Sequence, residues 1–164
     1  MRSAALLALC LVACGQSGAE DGIGRARIIA TGTSDTVRFE LPVVGQTCAG
    51  GAGVLVHGER RGQGLLVWLR GGMGSDTGTS RLSTRGDTAV ARGVIAAVRY
   101  MVGDVAHGFT IDDGIATVTR PVPSLRLHIS GRGMETMPAG RGLADLDFDH
   151  VSVAADTVPC RVQP

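Results

Sequence analysis

Three aspartates, Asp145, Asp147 and Asp149, alternate with Leu146, Phe148 and His150 near the end of a 164-residue chain. On a strand, where side chains repeat every two residues, this spacing sets three carboxylates on one face. Such a row could hold a hard cation such as calcium. The EF-hand loop, however, requires glycine at its sixth position, and counting from Asp145 that position is His150. The neighbours are apolar and strand-like, so the expectation is a solvated acidic face with no metal assigned. Asp145, Asp147 and Asp149 stay the candidate ligands. Like charges along a strand also discourage edge-to-edge pairing. Past His150 the apolar parity changes, with Val151 and Val153 falling on the aspartates' side, and this predicts a β-bulge near Asp149.

The other reactive side chains are scattered. His57, His107, His128 and His150 show no metal-ligand spacing and read as surface or rim histidines, His128 sharing an outward parity with Arg126. Met134 and Met137 could offer thioether sulfur to Cu(I), but with no cysteine or histidine beside them they read as loop methionines. Asp76, Thr77, Gly78 and Thr79 resemble the catalytic triplet of aspartic proteases. They follow a glycine-rich loop rather than an apolar strand, and no second copy completes a dyad, so they read as a surface turn. The sequence carries no Gly-x-Ser-x-Gly elbow, no His-Glu-x-x-His and no phosphate loop, and it lacks lysine, which excludes Ser-Lys and Schiff-base chemistry. The expectation is a non-catalytic protein without a cofactor.

All 16 basic side chains are arginine and face 15 acids, for a net charge of +1, so the chain carries no basic excess with which to bind nucleic acid. With 44% hydrophobic and 19% charged residues it is composed like a globular domain, not a disordered tail.

The N-terminus carries an address. Arg2 precedes an apolar run from Ala4 to Val12, about half of the ~20 residues a membrane-spanning helix needs. The run ends in Leu11, Val12, Ala13 and Cys14, which resembles the lipobox of bacterial lipoproteins. The resemblance covers the signal only. It implies cleavage before Cys14, a palmitate-bearing lipid anchor on that thiol, and attachment to a membrane of the cell envelope. Gly15 in place of aspartate implies the outer membrane of a two-membrane bacterium. Two or more acyl chains make a durable tether, whereas one binds marginally. Residues 1–13 are then signal, 14–24 the lipidated cysteine and a small, polar, flexible spacer, and 25–164 one domain.

With Cys10 cleaved away and Cys14 lipidated, Cys48 and Cys160 are the two thiols left in an oxidising compartment, and the expectation is a disulfide between them.

The rest of the chain reads as strands. In Thr36 to Val43 the residues Val37, Phe39, Leu41 and Val43 share one face, and in Ser124 to Ser130 Leu125, Leu127 and Ile129 do. Pro42 points to an edge or a strand end. Leu65 to Leu69 is apolar on both faces, as for a central strand covered on both sides. Further strands are expected at 25–31, 53–58, 106–111, 115–120 and 143–154, with Asp113 and Gly114 forming a tight hairpin turn. Residues 87–102 fit a strand better than a helix, given Gly93, the β-branched residues and Tyr100. Many short strands with glycine-rich turns predict an all-β antiparallel β-sandwich, with a β-barrel as the alternative. The function that follows is an envelope lipoprotein binding an unknown envelope protein or ligand, through the glycine-rich loops 71–80 and 131–142. The alternative is a carrier of a small ligand or metal ion.

Overall fold

Apolar residues at every second position build nearly all of the structure. The computed structural model describes residues 24–33, 35–83, 92–135 and 140–160. In chain order the strands are β1 (Gly24–Thr31), β2 (Thr36–Cys48), β3 (Gly53–Arg60), β4 (Gln63–Arg70), β5 (Gly78–Arg81), β6 (Gly93–Val102), β7 (Val105–Arg120), β8 (Ser124–Glu135) and β9 (Gly140–Val158). A 3-10 turn over Ala49–Gly51 joins β2 to β3. The strand expected over 87–102 is present from Gly93 onward, and residues 87–91 lie outside the described residues.

Hydrogen-bonded neighbours run β7, β6, β4, β3, β2, β1, β9, β8, and β8 returns to β7. Eight strands therefore close into a barrel, which corrects the expected sandwich. A period of two looks the same in either architecture. Strand length and bending decide between them: β7 has 16 residues and β9 has 19, and both are bulged. A bulge bends a strand and increases its twist, so that a long strand can wrap round and pair on both sides. Closure satisfies the edge groups that an open sheet would leave bare.

The bulge in β9 falls where the apolar parity predicts it. Leu125 faces Val151 while Leu127 faces Phe148, and His150, with φ of +51°, takes up the extra residue. Val151 thereby returns to the interior. The expected hairpin at Asp113–Gly114 does not form. That dipeptide lies inside the continuous strand β7, next to a register shift between Ile111 and Asp113.

Two features complete the wall. Strand β1 lies between β2 and β9, antiparallel to both. Before β1 begins, β2 and β9 pair directly and in parallel, from Gly45 opposite Val153 to Cys48 opposite Val158. On the other side β5 pairs with Ile115–Val118 of β7, past the end of the β6–β7 ladder, and fills that gap. Pro42 lies within β2 rather than at a free edge, in the stretch past the last β2–β3 pair, where its missing N–H costs nothing on that side.

The barrel is filled by side chains. Ile28, Leu41, Leu69, Ile111, Leu127 and Leu146 are at most 1% exposed and belong to one continuous apolar core. The outside carries the charged side chains, with apolar groups such as Ile29, Leu66, Ile115 and Leu143 exposed among them. This also corrects the reading of 65–69 as covered on both faces: Leu65, Val67 and Leu69 point inward, Leu66 is 43% exposed, and Trp68 is half-buried on the outer wall. There its indole N–H donates to the Ala52 carbonyl (3.1 Å) and the Arg70 guanidinium stacks over its ring. A one-layer barrel has a single buried face.

The glycines of 131–142 likewise do not form a long loop. β8 runs to Glu135 and β9 starts at Gly140, with residues 136–139 outside the described residues. A Cβ at position 133 would sit 1.9 Å from the Thr110 carbonyl oxygen, so glycine there lets β8 approach β7.

Candidate functional site

Strands β8 and β9 place the three aspartates on the outer wall, as their spacing predicts, but the neighbouring strands divide them. Asp149, at the bulge, accepts from Arg126 of β8 at 2.7 and 2.9 Å. That guanidinium holds the Asp149 carboxyl below its ordinary range. His150 lies beside the same pair, 3.5 Å from Asp149.

Asp145 and Asp147 turn instead to His128, which lies directly across the β8–β9 ladder from Asp147. Nδ1 of His128 is 2.8 Å from Asp147 Oδ1, and its Nε2 is 3.8 Å from Asp145 Oδ2. Cross-strand pairs on one face are within side-chain reach, so the register sets this triad. Its members come from separate strands, which is why the histidines show no ligand spacing along the chain. Arg27 of β1 lies opposite Asp147 but pairs with Glu40 of β2 at 3.6 Å.

A second polar cluster lies at the opposite extreme of burial. Glu135, the last residue of β8, is 3% exposed. Its Oε1 accepts from the Tyr100 hydroxyl at 2.5 Å and from His107 Nδ1 at 3.0 Å. Its Oε2 accepts from the Thr33 amide at 3.2 Å and the Thr33 hydroxyl at 3.4 Å. Burial by itself raises a carboxyl pKa, but hydrogen bonds from Tyr100, Thr33 and His107, with the charge of His107, outweigh it and hold Glu135 below the ordinary range. Burial, the bond to Glu135 and nearby acid charge push the Tyr100 hydroxyl well above its usual value.

The network ties the β1–β2 connection to β6, β7 and β8. It closes tightly because position 32 is glycine: a Cβ there would sit 2.5 Å from the Tyr100 hydroxyl oxygen. His107 stacks on Tyr100 with ring centroids 5.4 Å apart. Reading 131–142 as a loop hid Glu135. The inward parity of Leu125, Leu127 and Ile129, continued along β8, reaches position 135 and was the signal that could have found it.

The remaining expectations separate in the same way. Cys48 and Cys160 are joined, with their Cα atoms 5.3 Å apart, at the end of the parallel β2–β9 contact. Cys14 lies outside the described residues, as does Met137. Met134 is on the outer wall, 52% exposed. Asp76 is exposed in the β4–β5 connection, 4.0 Å from Arg92. Comparison with protein-family models, with curated proteins and with solved structures returns no match.

Proposed function

We propose that this is a lipid-anchored protein of the bacterial cell envelope whose barrel binds an envelope partner through its outer surface and turns over no substrate. The Leu11-Val12-Ala13-Cys14 motif behind the short apolar run carries the reading. The barrel's pattern supports a tethered domain over an inserted one. Transmembrane barrels present an apolar band outward and polar groups inward, whereas here Ile28, Leu127 and Leu146 point inward and Arg126, His128 and Asp147 outward. The filled core favours binding on the outer wall over carriage of a ligand inside. The outer membrane is the proposed destination, from Gly15. The recognition surfaces are the β4–β5 connection together with β5, which takes up Gly78–Ser80 of the expected first loop, and the β8–β9 hairpin that replaces the expected second loop.

Labelled palmitate should enter the wild-type chain in cells and be lost in Cys14→Ser. Undiminished labelling would overturn the tether. Crosslinkers placed at Asp76 and at Met134 should capture a partner from the envelope fraction. If removing either segment leaves the captured set unchanged, recognition lies elsewhere.

A further inference from the structure

The geometry points to a divalent transition-metal site, best suited to zinc, formed by His128, Asp145 and Asp147 on the outer wall. One imidazole nitrogen and one oxygen of each carboxylate lie within 4.8 Å of one another. Zinc bonds of about 2.0–2.2 Å place ligand atoms roughly 3.4 Å apart in a tetrahedral shell. Asp147 faces Nδ1 of His128 and Asp145 faces Nε2, so a metal on one nitrogen requires the other carboxylate to swing toward it, and the half-exposed positions of the side chains leave room for that rearrangement.

The surrounding charges favour an ion at this place. Other acids on the same wall hold arginines: Asp149 with Arg126 at 2.7 Å, Asp113 with Arg132 at 2.7 Å and Asp112 with Arg141 at 2.8 Å. Among the described residues the ion-pair partner of Asp145 and Asp147 is His128. Two carboxylates two residues apart on one strand face repel each other, and the one imidazole between them, with Nδ1 toward Asp147 and Nε2 toward Asp145, does not bring both onto a single centre. A divalent cation does. The donor set also selects the metal, because an imidazole nitrogen with carboxylate oxygens suits zinc or copper(II), while calcium and magnesium prefer oxygen alone.

The ladder gives the site its rigidity. His128 and Asp147 are paired residues of β8 and β9, and Asp145 is paired with Ser130 one step along. Three protein ligands leave positions for water or a partner's side chain, the arrangement of open rather than closed zinc sites. The site does not depend on the lipid tether.

The test is titration of the untagged, detergent-solubilised full-length chain with zinc chloride by calorimetry, after treatment with chelator. One equivalent should bind with micromolar affinity. His128→Ala and Asp147→Asn should each weaken it by at least about tenfold, with unchanged far-UV circular dichroism, while His150→Ala binds as wild type. Calcium chloride should not compete. Absence of saturable binding at millimolar zinc overturns the site, as does a smaller loss in the triad variants or an equal loss in His150→Ala. Effective competition by calcium overturns the nitrogen ligand.

Discussion

Truncating Glu135 to alanine is expected to destabilise the barrel by about 3–5 kcal/mol, because its side chain is buried and is the common acceptor of a hydrogen-bonded network. Its carboxylate accepts four hydrogen bonds, and their donors differ in exposure. Thr33 is exposed, so water can replace the carboxylate there. The Tyr100 hydroxyl and His107 Nδ1 have less access to water, Tyr100 being 1% exposed and the His107 side chain 10%. A buried donor left without an acceptor costs about 1–3 kcal/mol, which makes about 2–6 kcal/mol for the two. The one lost methylene adds roughly 0.8 kcal/mol, and relief of the carboxylate's own burial penalty offsets part of the sum. The net falls in the range of about 3–5 kcal/mol found for breaking one partner out of a buried charged pair. Glu135→Gln keeps an accepting oxygen on one side only and should cost less, about 1–2 kcal/mol. The assay is urea unfolding followed by far-UV circular dichroism with the disulfide intact, comparing midpoints at constant slope. Tyr100→Phe combined with Glu135→Ala should be less damaging than the two losses added together, because both remove the same bond. A Glu135→Ala loss under about 1 kcal/mol, or strict additivity with Tyr100→Phe, would refute the argument.

Three other outcomes follow from the same structure. Because the folded pKa of Glu135 is lowered, its contribution is present above the ordinary carboxyl value of 4.5 and is lost as pH falls through the folded value. The stability gap between wild type and Glu135→Gln, measured by urea unfolding from pH 7 downward, should therefore narrow in acid. A gap that widens would reverse the sign. Reducing the Cys48–Cys160 bond opens a closure spanning 112 residues and should lower stability by up to about 4.7 kcal/mol. Thermal unfolding with and without reductant measures this, and an unchanged midpoint would deny the bond any structural role. Leu66→Ser, on the outer wall, should change stability by no more than about 0.5 kcal/mol, whereas Val67→Ala, inside it, should cost about 1–3 kcal/mol. Equal effects would mean that the two faces of β4 have been misassigned.

Local chemistry determined much of this protein before any contact was known. Alternation in 36–43 and 124–130 marked the strands and their inward faces, because pleating sends successive side chains to opposite sides. The parity break after His150 located the β9 bulge by the same rule, and the count of thiols anticipated the Cys48–Cys160 pair. The N-terminal motif is a purely linear signal, and its reading rests on residue order alone, since residues 1–23 lie outside the described residues. Closure was not. Whether strands form two sheets or one ring depends on which non-neighbours pair, here β1 with β9 and β4 with β6, and on how far bulged strands curl, which no local period encodes. For the same reason Leu66 and Trp68 read as buried until the wall proved to be one layer thick.

Both candidate sites share that origin. His128 meets Asp147 because the β8–β9 register places residues 19 apart in the chain side by side. Glu135 meets Thr33 across a separation of 102 residues. Residue types along the chain supplied the ligands and the buried acid. Their convergence came from strand pairing, because side chains distant in sequence can act on one another only where the tertiary fold sets them within hydrogen-bonding distance.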